Sequence, residues 1–194
     1  MRKENKREDR WEAGLKRILW AYWITATALV APLLLSLYLA QRENQASAKN
    51  RNVRFVALSL RNALESYRRK YRTWSWLSPT PTIASDFVIS SDSELITTLL
   101  GSNEGLRNPS KVAFGKWSDA DETGKNGIIY RSDGEIGGLV DLWGHPFQIH
   151  LDGDGDGCLA DPRNPKNRIR RISLVYSAGP DGDFATWDDN VETL

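Results

Sequence analysis

ILWAYWITATALVAPLLLSLYLA, residues 18–40, and RNVRFVALSLRNALESYRRKY, residues 51–71, together decide the fold. The first stretch carries no charge from Ile18 to Ala40. As a helix it would extend roughly 35 Å, against a bilayer core of about 30 Å. Trp20, Tyr22, Trp23 and Tyr38 stand near its ends, where amphipathic rings favour an interface. Pro32 lies inside it, and a lipid-embedded helix tolerates such a break. The reading is a transmembrane helix over 18–40, with a buried core helix as the plainer alternative. A cleaved signal peptide is a third, with Ala46-Ser-Ala48 as a cleavage site, but its apolar region is usually only about 7–15 residues.

The second stretch has a different rhythm. Val53, Val56, Leu60, Leu64, Tyr67 and Tyr71 recur at helical spacing and fall on one face. No Gly or Pro interrupts the chain between Gln41 and Trp76. One helix from about Ile18 to Tyr71 is predicted, apolar all round at first and amphipathic afterwards.

Charge is segregated along the chain, although the whole has a net charge of +1. Residues 1–17 hold 7 basic and 4 acidic groups, and residues 41–72 hold 9 and 2. Residues 73–151 hold 5 and 10, and residues 152–194 hold 5 and 9. A basic tail (1–17), a membrane segment (18–40) and a basic helical stalk (41–72) thus lead to an acidic head (73–194). The basic stalk face reads either as a solvated surface or as a contact for the acidic face of a neighbouring subunit. The excess of cations before residue 18 places the N-terminus in the cytoplasm and the head outside it. The expected placement is the inner (cytoplasmic) membrane, single-pass, with an extracytoplasmic or periplasmic head. The overall balance argues against a nucleic-acid partner. The single Cys158 excludes an internal disulfide framework and a Cys-rich zinc site.

Beyond Pro79-Thr-Pro81 the chain turns to short elements. Ser91-Asp-Ser-Glu94 reads as a capping box before a helix over 94–100, stopped by Gly101. Strands are predicted at 111–114 and 128–130. Two better ones follow, with Phe147, Ile149 and Leu151 alternating in the first and Ile172, Leu174 and Tyr176 in the second. The fold class is α+β, a long N-terminal helix packed on a small C-terminal antiparallel sheet.

That order of features resembles a type IV pilin, and most closely the major pseudopilin of type II secretion systems. Ala57-Leu-Ser-Leu-Arg-Asn-Ala-Leu-Glu-Ser-Tyr67 with Tyr71 is similar to the family's stalk. Leu142-Trp-Gly-His-Pro-Phe147 resembles its Pro-Trp-Gly-Asn-Pro-Tyr turn, and Ser177-Ala-Gly-Pro-Asp-Gly182 its Ser-Xaa-Gly-Xaa-Asp-Gly loop. Thr186-Trp-Asp-Asp-Asn190 resembles its acidic C-terminal end. The family's processing site departs here: Gly14 is followed by Leu15-Lys-Arg-Ile-Leu19, without the aromatic or the Glu. The resemblance implies a structural subunit of a cell-envelope secretion or type IV pilus-like assembly, active in protein transport. Its partners would be membrane lipid and like or related subunits met through the N-terminal helix. The alternative is a membrane-anchored calcium-binding or interaction domain that does not polymerise.

Two acidic loops are candidates for calcium. The resemblance implies the C-terminal one, with Asp181, Asp183, Asp188 and Asp189 as ligands and Ala178 offering a carbonyl. Asp152, Asp154 and Asp156 alternate with glycines and open like an EF-hand loop, but position twelve is Arg163 rather than Glu. For each loop the alternative is a solvated acidic turn. His145 and His150 lack the helical spacing of a zinc protease, and no Gly-Xaa-Ser-Xaa-Gly elbow or nucleotide loop occurs. No catalytic residue is assigned, no small-molecule substrate is implied, and the chain is read as a non-enzyme. Cys158 beside an acidic loop has no support for a reactive role. Trp74, Trp76, Trp117, Trp143 and Trp187 read as core or loop-pinning residues.

Overall fold

The computed structural model describes residues 2–74, 77 and 85–193; before residue 30, side chains are described only at Lys16, Trp20 and Trp23. The first helix, α1, runs Arg2–Tyr71 with Pro32 inside it. The chain divides into two units, Met1–Ala48 and Lys49–Leu194. The boundary falls within α1, so the amphipathic half of the predicted stalk belongs to the head.

In the first unit, Val30, Leu33, Leu34, Leu35, Leu37, Tyr38 and Leu39 are all exposed. Ser36 donates its hydroxyl to the Leu33 carbonyl at 2.8 Å. Among the described residues no helix is long and apolar enough to cross a membrane. This overturns the reading of 18–40 as a transmembrane helix, and with it the single-pass inner-membrane placement. The uncharged run whose side chains are all described, Val30 to Gln41, ends at Arg42 and Glu43.

The second unit is built on the last third of α1, from Lys49 to Tyr71. Val53, Ala57, Leu60, Ala63, Leu64 and Tyr67 are buried on it. Arg72, at φ 61°, closes the last turn by donating its N–H to the Arg68 carbonyl at 2.7 Å. Among the described residues the strands are β1 (Phe87–Ser90), β2 (Gly127–Tyr130), β3 (Ile136–Val140), β4 (Gln148–Leu151), β5 (Leu159–Asp161), β6 (Asn164–Ile169), β7 (Ser173–Ser177) and β8 (Val191–Glu192). The main sheet has the order β1-β4-β7-β8, and β2-β3 and β5-β6 are separate pairs. All its neighbours are antiparallel, with Ile89 opposite Ile149 and Ile149 opposite Val175.

Strand alternation explains the layering. Ile149, Leu151, Val175 and Val191 join the α1 residues in one core, which Leu95, Ile96 and Leu99 complete from a short helix, α2 (Ser93–Leu99). Leu174 and Tyr176 point to the opposite face and meet Leu159, Ile169, Phe184 and Trp187 in a second cluster. The sheet is therefore covered on both faces, and the predicted Leu174–Tyr176 row is not the one that faces α1.

Local corrections have local causes. Asp92, not Ser91, caps α2, its Oδ1 accepting the Leu95 N–H at 2.9 Å. Ser91 is buried, donating to the Leu139 carbonyl at 2.6 Å and accepting the Phe147 N–H at 2.8 Å. Residues 111–114 form no strand. Lys111 sits at φ 50°, and the Phe114 N–H bonds the Leu99 carbonyl at the end of α2 instead. Trp76 and the Pro79–Pro81 segment lie outside the described residues. Leu64→Ala is expected to cost roughly 2–5 kcal/mol in urea unfolding, whereas Phe55→Ala, at a side chain 73% exposed on the same helix, should stay within about 0.5 kcal/mol.

Candidate functional site

The Asp152–Gly157 loop follows β4 and turns sharply through Gly155 and Gly157, at φ 80° and 78°. Asp152 is fully buried, 3.1 Å from the Arg68 guanidinium of α1. It also accepts the N–H groups of Gly155 at 2.6 Å and Gly157 at 3.2 Å. Asp154 accepts from the Asp156 N–H and Asp156 from the Cys158 N–H, at 3.0 and 2.8 Å. The alternation of aspartates thus closes successive backbone turns.

Asp86, just before β1, joins Asp152 and Asp154, with one carboxylate oxygen of each within 4.8 Å of the others. Asp156 is instead paired with Arg168 at 2.7 Å. Asp86 Oδ1 is enclosed without a hydrogen-bond partner. Burial, and then the negative charge of Asp154, raise the Asp86 pKa above its ordinary 3.8. Sequence reasoning missed Asp86, which lies far from the loop along the chain and beside no motif; only the β1–β4 pairing brings it in.

The C-terminal loop is built from the same kind of turn. Asp181 accepts the Asp183 N–H at 2.9 Å and the Thr186 hydroxyl at 2.6 Å, and Asp183 accepts the Ala185 N–H at 2.8 Å. The Thr186 hydroxyl and then the Asp183 N–H hold the Asp181 carboxyl below its ordinary pKa. Among the described residues, Asp181, Asp183, Asp188 and Asp189 form no cluster of three converging carboxylates. Calcium takes roughly six to eight oxygens. The cluster that does converge supplies three carboxylates, one of them already neutralised by Arg68. These residues do not by themselves make up a calcium site.

Two stretches of the resemblance meet in space. Asp141, buried at the end of β3, accepts the Trp143 and His145 N–H groups, each at 2.9 Å, through Oδ1. Its Oδ2 accepts the Ser177 hydroxyl at 2.5 Å. Ser177 in turn accepts the Gly179 N–H at 3.0 Å. A Cβ on Gly182 would lie 2.8 Å from the His145 ring, so the 142–147 turn packs directly on the 177–182 loop. His145 is a packing residue here. His150 lies on β4 with Nε2 3.1 Å from the Tyr176 hydroxyl, and that hydroxyl also donates to Gln148. Burial lowers the His150 pKa and pushes Tyr176 up to about 12. Trp187 stacks near Tyr176, and Trp74 is buried beneath Arg68, so both are pinning residues.

Comparison of the chain with protein-family models, curated proteins and solved structures finds no match.

A carboxyl with a raised folded pKa takes its proton before the unfolded chain does. The Asp86 contribution to stability should therefore rise as pH falls from neutral through its folded pKa toward 3.8. Asp86→Asn should remove that rise in urea unfolding followed against pH. Asp141→Ala, which leaves two N–H groups and a hydroxyl without their charged acceptor, should cost about 3 kcal/mol or more at pH 7.

Proposed function

We propose that this chain is a pilin-like, and more narrowly pseudopilin-like, structural subunit of a secretion or pilus-like assembly. It packs through its N-terminal helix against like or related subunits. The observation that carries this reading is the exposed apolar run of α1. Leu33, Leu34, Leu35, Leu37 and Leu39 are each more than half exposed, and Val30 and Tyr38 extend the run. At about 100° per residue these side chains turn through roughly two thirds of the helix circumference. A surface of that angular width needs more than one helical neighbour. Isolated surface leucines need no explanation, but a contiguous apolar patch marks an interaction site.

The head supports the same reading. An amphipathic helix is fastened under a four-stranded antiparallel sheet, with the C-terminal loop packed on the 142–147 turn. Charge adds direction: exposed Arg42, Lys49 and Arg51 line α1, while Asp154, Asp156, Asp183 and Asp188 are exposed in the head. Contact between the basic helix of one copy and the acidic loops of another joins two different surfaces, and such a heterologous contact extends without closing.

Sedimentation velocity of the full chain without detergent should show concentration-dependent oligomers in the micromolar range. Leu34→Glu with Leu37→Glu should shift the chain to monomer without lowering the unfolding midpoint of the 49–194 unit. A wild-type chain that stays monomeric at high concentration contradicts the proposal and leaves a stand-alone interaction domain.

A further inference from the structure

Charge is sorted on the outer side of the main sheet. Residues 163–171 carry five cations and no acid, and residues 177–190 carry four acids and no cation. The two segments lie side by side. Leu159 and Ile169 of the β5–β6 hairpin meet Phe184 and Trp187 of the C-terminal loop in one cluster around Tyr176. Arg163 bridges to Glu192 at 3.0 Å and lies over the Trp187 ring. Arg168 is taken by Asp156 at 2.7 Å. Lys166, Arg170 and Arg171 are exposed, and so are Asp183 and Asp188. Among the described residues none of these five enters an ion pair.

We infer that this face pairs with the same face of a second copy about a two-fold axis, the hairpin cations of each copy meeting the loop carboxylates of the other. A positive patch beside a negative one, both without partners, makes a face complementary to itself. One two-fold rotation brings both pairs of patches together at once, and the contact closes at a dimer. Like charges crowded on one hairpin repel one another, and opposite charge held nearby relieves that repulsion. Cations on an edge strand also serve to block stray sheet pairing. That role does not reach Arg170 and Arg171, which lie beyond the end of β6 at Ile169 and have no edge to guard. Four of the five cations are arginines, whose planar fork suits carboxylates. The inference stands apart from the assembly reading, since it uses no residue of α1. It assigns Asp183 and Asp188 to the hairpin of a second copy and leaves Asp154 to the basic helix. Salt separates the two contacts. Exposed charges are screened beyond about 10 Å at 0.1 M salt and beyond about 3 Å at 1 M, whereas apolar packing of α1 persists.

The test is sedimentation equilibrium of full-length chains that all carry Leu34→Glu and Leu37→Glu, so that the α1 contact is absent. These chains should be monomers at about 1 M NaCl and dimers at about 20 mM, with the association constant at least about tenfold higher at low salt. Arg170→Glu with Arg171→Glu should abolish the low-salt dimer, and so should Asp183→Lys with Asp188→Lys. Mixing those two reversed chains in equal amounts should restore it, because each then offers the charge that the other lacks. Far-ultraviolet dichroism of each chain establishes that it is folded. A parent chain that stays monomeric at low salt, growth past the dimer, or a mixture of reversed chains that stays monomeric overturns the inference. Reversed chains that each dimerise alone as well as the parent overturn it too. None of these results touches the α1 reading, which is measured separately on the wild-type chain at about 1 M NaCl.

Discussion

Burial of one stripe of α1 against the inner face of the main sheet is the contact on which the rest of the head depends. Leu60 and Leu64 are fully enclosed on the helix, as are Ile149, Leu151 and Val175 on β4 and β7. Each such side chain contributes about 1.5–3 kcal/mol when removed from water. Neither partner can do without the other. A helix of this composition has little cause to persist alone in water. The sheet has two-residue and four-residue edge strands, too short to stand unsupported.

Polar groups then fix the register that apolar burial leaves loose. Arg68 reaches from α1 to buried Asp152 and ties the helix to the end of β4. Tyr71 donates to Asn108 at 2.7 Å, and Asn108 in turn donates to the Thr98 and Val112 carbonyls. Asp141 fastens the turn before β4 to the end of β7 through Ser177. On the outer face, Arg163 bridges to Glu192 at 3.0 Å, holding the β5–β6 hairpin to the edge of the sheet. The buried charges among these ties, Asp152 and Asp141, have a charged partner or N–H donors, which is the condition for keeping them there.

Much of this was legible in the sequence because strict periodicity spoke for it. The helical face from Val53 to Tyr67 and the alternation in β4 are seen where they were expected, whereas β7 is buried along its whole length and turns Val175, not Leu174 and Tyr176, toward α1. β6 was not legible: Asn164-Pro-Lys-Asn-Arg-Ile169 has no apolar alternation, and its strand exists because it pairs with β5. β1 is short, and only Phe87 on it is buried. The acidic loops were the least legible. Aspartates at alternate positions serve metal ligation and turn closure equally well on paper. Here their oxygens go to backbone N–H groups, and the converging cluster draws in Asp86 from a strand away. The membrane reading of 18–40, argued from its length, its lack of charge and the aromatics near its ends, is not supported: among the described residues no helix is long and apolar enough to cross a membrane.

Amide hydrogen exchange on the full-length chain tests most directly whether the Lys49–Tyr71 part of α1 is an integral part of the head. The account predicts that amides from Val53 to Tyr67 open with the same free energy as those of β4 and β7, as one cooperative unit. Exchange of Val53–Tyr67 at markedly lower free energy, with β4 and β7 still protected, would contradict it.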